Sequence, residues 1–271
     1  MRGGKRQARA ALRLVNRDPT VKRLILLEAL ALTALWAAFF LLRRETGSFD
    51  READRVFEAW LYWVSAIGIT TVCSVAVACA VDAKIDGVEG DLRMALGEVR
   101  RRLPTLLCWW LISIGALIAL GFGTRAVMRP LPAILVVAAV WGVGSLFVVP
   151  AIALQSGGPL ESLGEALRFL RARWGRALAG LFVIGFLFGL AFIACGFLLR
   201  ATAESHPRTT DEPLWRFGGP LLIFCLVYAL MAATRGGFAV ILARDALGDL
   251  PGEPPAANPR RRPTTILRRS S

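Results

Sequence analysis

The chain has 271 residues, 55% of them hydrophobic, and 33 Lys and Arg against 20 Asp and Glu, for a net charge of +13. Its mean hydropathy is +0.54. So apolar a chain is not disordered over most of its length, and it carries more apolar mass than a soluble core of this size would hold. Long uncharged runs interrupt the basic residues, which argues against a nucleic-acid binder and for a membrane.

The chain opens with a basic segment, residues 1–23, and six apolar runs follow. They are Leu24 to Leu42, Ala59 to Val81, Thr105 to Thr124, Leu131 to Leu154, Ala177 to Leu199 and Gly219 to Ala243. About 20 residues at a rise of 1.5 Å cross a hydrocarbon core of about 30 Å, so each run is long enough to be a transmembrane helix. The first lacks a small-x-small cleavage site and is followed by Arg43-Arg44, so it reads as a retained helix and not a signal peptide. The expected architecture is an all-α polytopic membrane protein, with six transmembrane helices over residues 24–246. The tail, residues 247–271, is rich in Pro and Arg and reads as a disordered basic tether.

Lys and Arg in alternate loops set the orientation, because basic residues are retained on the cytoplasmic side. One side carries 23 of them and the other 9, with Arg235 left inside the sixth helix. With the acidic residues included, +12 of the charge lies on the first side. Both termini are expected in the cytoplasm, in the inner membrane of a bacterium. Arginine outnumbers lysine 30 to 3. A high-GC genome explains that bias, so it is not itself evidence of phosphate recognition.

Three basic segments, about 5–17, 91–103 and 161–174, precede apolar runs. The second places Leu92, Ala95, Leu96 and Val99 on one helical face, and the third Leu163, Ala166, Leu167 and Leu170. Each is expected as an amphipathic helix along the inner membrane surface, arginines toward water and phosphates. An offset of 71 aligns Gly87, Leu92, Ala95, Leu96, Arg100, Arg102 and Leu107 with Gly158, Leu163, Ala166, Leu167, Arg171, Arg173 and Leu178. A second offset, of 163, aligns the end of helix two with that of helix six, pairing Asp82 with Asp245 and Asp86 with Asp249. The simplest reading is a threefold helix-pair repeat: a basic surface helix, a helix going out and a helix coming back.

The stretch "VVPAIALQSGGPLESLGEALRFLRARWGRALAG" resembles the hallmark of an uncharacterised bacterial six-helix integral membrane family, through Val149-Pro150, Gly157-Gly158, Ala166-Leu167 and Trp174-Gly175. "ACAVDAKIDGVEGDLRMALGEVRRRL" is similar to that family's segment between helices two and three. The resemblance covers roughly residues 15 to 250, with a more distant likeness to the membrane domain found beside glycerophosphodiester phosphodiesterases. It implies a fold in which the Trp-Gly pair opens the next span. It implies no activity and no catalytic residue.

Chemistry-bearing residues are few. Cys73, Cys79, Cys108, Cys195 and Cys225 fall inside expected spans without ligand spacing, as packing residues. Trp109 and Trp110, a turn or so into helix three, read as packing or interfacial anchors. His206 lies in an outer loop with no framework for a metal or a triad. Gly185 and Gly189 would let backbones approach, and Pro150 would kink or end helix four. No phosphate loop, dinucleotide fingerprint, nucleophile elbow or zinc helix is present, so neither an enzyme nor a cofactor is expected.

Two intramembrane charges stand out. Counted from the cytoplasmic ends of their runs, Glu28 lies roughly 6 Å deep and Arg235 roughly 13 Å deep. Such groups are costly and usually turn inward and pair, so Glu28 and Arg235 are read as an ion pair closing helices one and six. Two other readings stay open for Arg235, a residue at the interface or one serving a substrate or proton relay. Arg100, Arg101, Arg102, Arg171, Arg173 and Arg176 are the candidate basic surface for anionic phospholipid headgroups. The functional expectation is a non-catalytic scaffold or accessory protein contacting anionic lipid or a partner; the alternative is a transporter of a small solute or lipid.

Overall fold

The computed structural model describes residues 2–46, 52–88, 90–126, 148–154, 158–204 and 215–247. Helix α1 spans Arg2–Arg17, α2 Pro19–Thr46, α3 Glu52–Ile85, α4 Leu92–Arg101 and α5 Leu103–Ala126. Helical residues 148–154 form α6, and α7 (Pro159–Glu204) and α8 (Trp215–Leu247) complete the order. Among the described residues four helices are long and apolar enough to cross a membrane: Pro19–Leu41, Val64–Ile85, Trp174–Leu198 and Gly219–Asp245. This is the build of a multi-pass membrane protein. The apolar stretch of α5 counted the same way is shorter, Leu103–Ala116. Of the expected fourth span only 148–154 is described. His206 and the tail from 248 also lie outside the described residues.

Helix junctions follow from local chemistry. Pro19 has no N–H to continue α1, and the carboxylate of Asp18 accepts from the amides of Thr20 (2.8 Å) and Val21 (3.1 Å) to cap α2. Helix α3 ends in a Schellman turn, in which Val88 N–H donates to the Ala83 carbonyl at 2.9 Å. Gly87 supplies the required positive φ of 74°. Asp91 caps α4 through the Met94 amide at 2.7 Å. Pro104 then stops α4 from running into α5, because it offers no N–H to the Arg100 carbonyl.

The third basic segment behaves differently. Residues 161–174 form no separate surface helix, since α7 runs unbroken through Trp174 and Gly175 for 46 residues. No proline interrupts it, and a single Gly costs a helix only about 1 kcal/mol.

Helix α8 is central and packs against α7, α2, α1 and α3. Close approach comes from small residues. The ring of Phe238 lies over Gly180, where a Cβ would come within 2.1 Å of it. A Cβ on Gly4 would meet the Arg176 carbonyl at 2.4 Å. Gly185 and Gly189, expected to serve this purpose, have no described atom within 4 Å of a Cβ. Trp109 is buried, and the indole of Trp110 donates to the Val64 carbonyl at 2.9 Å, tying α5 to α3.

Candidate functional site

Two constellations of polar groups stand out, one at the end of the bundle carrying α1 and α4 and one inside it.

At the first, α1 turns Gly4, Ala8, Ala11 and Val15 inward against α7 and α8. Lys5, Arg6, Arg9, Arg13 and Arg17 face outward, and the helix contains no acidic residue. Its apolar stripe therefore meets protein and not lipid. In α4, Ala95 and Val99 are buried while Leu96 is exposed. In α7 the buried positions are Ser162, Ala166 and Phe169, with Leu167 exposed; the side chains of Leu163 and Leu170 lie outside the described set.

The helix ends are clasped by arginines. Arg244 of α8, 3% exposed, donates from Nη1 and Nη2 to the two carboxylate oxygens of Asp86 at 2.6 and 2.7 Å, and from Nε to Asp82 at 2.6 Å. Arg176 reaches Asp245 at 2.5 Å. Arg102 donates to the carbonyls of Ile152 and Ala153 in α6 and pairs with Glu98 at 3.5 Å.

The six arginines expected on a lipid-facing surface thus divide. Arg100, Arg101 and Arg171 are exposed, Arg101 by 79% of its side chain. Arg102 and Arg176 bind other helices. The backbone of Arg173 lies in α7 and its side chain is not among those described.

Inside the bundle, Glu28 is 1% exposed. It lies at the crossing of α2, α3 and α8, with Thr70, Cys73 and Tyr228 as polar neighbours. Tyr228 also neighbours Arg235, about two turns along α8. The expected pair is placed on facing helices, but Glu28 Oε1 makes no hydrogen bond, so Arg235 does not cover that oxygen. Arg235 has interactions of its own.

The sequence reading missed Arg244, Asp82, Asp86 and Thr70. The offset of 163 brings the ends of α3 and α8 into one frame; the structure adds that the two ends are ion-pair partners. Among the described residues no group of His, Cys, Asp and Glu is arranged to hold a metal, and all five cysteines are free. No curated protein and no solved structure matches the chain. Residues 112–237, from within α5 to within α8, match the Family of unknown function (DUF6159).

Proposed function

We propose that this is a non-catalytic scaffold or accessory protein of the bacterial inner membrane, crossing it six times with both termini in the cytoplasm. Its basic end engages anionic phospholipid headgroups. The observation that carries the reading is α1. Its five outward Lys and Arg side chains have no acidic residue on the same helix to neutralise them, and its inward face is already occupied by α7 and α8. Arg93, Arg100 and Arg101 on or beside α4, and Arg168 and Arg171 on α7, add exposed guanidiniums. Each such group near an anionic surface contributes on the order of 1 kcal/mol.

The docking of α1 on α8 near Gly237, where Ala11 and Val15 lie beside the glycine, sets the level of the headgroups. A helix with this many exposed cations does not lie in hydrocarbon. The last two turns of α8, with Arg244 and Asp245, then project beyond the lipid tails as part of a collar with α1 and α4.

One further regularity supports the threefold unit. At the head of each outgoing helix a polar side chain reaches the returning one: Thr20 donates to the Gly90 carbonyl just past α3, Arg102 to α6, and Arg176 to Asp245 of α8.

The test is reconstitution in nanodiscs with and without anionic lipid. Anionic lipid should raise the Tm of the native protein, and high salt should weaken that gain by screening. A variant with Arg9, Arg13, Arg100, Arg101 and Arg171 replaced by Gln should lose most of it. An equal gain in native and variant protein would refute lipid engagement by this surface. The second reading, transport of a small solute or lipid, draws its support from the buried carboxyl of Glu28.

A further inference from the structure

Among the described residues Glu28 is the only buried carboxylate. Its Oε1 and the hydroxyl oxygen of Thr70 are both buried without a hydrogen-bond partner. Thr70 lies six residues from the start of the α3 span at Val64, roughly 9 Å along the axis, and Tyr228 nine residues into the α8 span from Gly219, roughly 14 Å. In a hydrocarbon core of about 30 Å these depths place the carboxyl within the apolar layer and not among the headgroups.

A carboxyl at that depth can be stabilised by a cation, by several hydrogen-bond donors, or by a proton. Arg235 does not supply the first at Oε1. Backbone amides in the interior of α2, α3 and α8 are committed to their own ladders and supply none of the second, and no side-chain donor reaches Oε1. On α3, Thr70 is a hydroxyl with a lone pair to offer and Cys73 is an apolar-packed thiol; on α8, Tyr228 stands opposite, with Arg235 beyond it. Helix α1 joins α2 at Asp18, whose carboxylate is used in the cap, and the approach to α4 is tied at Thr20, about two turns before Glu28.

We infer that Glu28 is a proton-binding site inside the membrane, its carboxyl O–H donating to the Thr70 hydroxyl oxygen. Binding adds one H⁺ to the carboxylate and removes its charge, and it satisfies both orphan oxygens at once. Release leaves a bare charge at an apolar crossing, so α2 must part from α3 or admit a cation when the proton leaves. Proton occupancy is thereby coupled to how α2 packs. The inference does not depend on lipid engagement at the basic end.

Infrared spectroscopy of the full chain in nanodiscs tests it. The native protein should show the carbonyl band of a protonated carboxylic acid, absent from Glu28→Gln and shifted to higher frequency in Thr70→Val, where the acceptor is gone. Dicyclohexylcarbodiimide, which is lipid-soluble and reacts with protonated carboxyls, should modify Glu28 in the native protein, mapped by mass spectrometry without any variant. Identical carboxylic-acid spectra for native and Glu28→Gln proteins, or no carbodiimide adduct at Glu28, would overturn the proton site. A band unmoved by Thr70→Val would overturn the assignment of Thr70 as its partner.

Discussion

Arg244 grips Asp86 with two parallel hydrogen bonds, of 2.6 and 2.7 Å, across the ends of α8 and α3. Only a guanidinium presents this fork, and Nε of the same group is left to reach Asp82 one turn earlier. Replacing Arg244 by Leu would leave two adjacent carboxylates without their shared cation. Breaking a buried pair costs ~3–5 kcal/mol, and because Asp86 is nearly half exposed the expected loss lies toward or below the lower end of that range. Arg244→Lys should lose less, since it keeps the charge but not the fork. Thermal unfolding in detergent checks both, and an Arg244→Leu protein as stable as the native one would contradict the account.

The contact between Phe238 and Gly180 yields a second expectation. A Cβ at position 180 would sit within 2.1 Å of the ring, so Gly180→Ala forces α7 and α8 apart, at about 1–3 kcal/mol by the usual cost of overpacking. Phe238→Leu, which shortens the opposing side chain, should restore part of the loss in the double variant. Gly185→Ala is the control. No described atom stands near that Cβ, and removing a mid-helix glycine should be neutral or gain about 0.5–1 kcal/mol. Tm values for the four proteins decide it.

Several of the helices were legible because run length alone encodes a membrane span, and Glu28 stood out because charge is so rare in such a run. What sequence periodicity could not reach was the register between helices. It tells which face of α4 or α7 is apolar but not what lies opposite. Arg102 and Arg176 therefore looked like surface cations when they clasp α6 and α8. Thr70 carried no signal, because an uncharged hydroxyl in an apolar helix is ordinary until a carboxyl from another helix faces it. Trp174-Gly175 resembles a boundary in sequence yet leaves α7 continuous, whereas the breaks on either side of α4 and after α1 depend on Gly87, Pro104, Asp18 and Pro19.

Arg102 holds α6 through two of its carbonyls, those of Ile152 and Ala153. Arg102→Met should free them and raise the rate of amide hydrogen exchange across residues 148–154. Arg101→Met is the matched control, since that side chain is largely exposed and bonds only to Glu98 on its own helix. Equal exchange in the two variants would show that Arg102 does not hold α6.

The docking of α1 can be tested through the basic residues that make it a substrate for trypsin. Lys5, Arg6, Arg9, Arg13 and Arg17 are exposed, yet cleavage requires the backbone to leave the helix, and the backbone is held by packing of Gly4, Ala8, Ala11 and Val15. Gly4 lies so close to the Arg176 carbonyl that any side chain must displace backbone. Gly4→Leu should therefore lift the start of α1 from α7 and speed cleavage within residues 5–17, with the span helices unaffected. An Arg9→Gln, Arg13→Gln variant changes the charge but not the packed face, and should be cut at its remaining sites no faster than the native protein. If α1 were held to the rest of the molecule by lipid alone, the second variant would be the more sensitive, and the order of the two rates separates these cases.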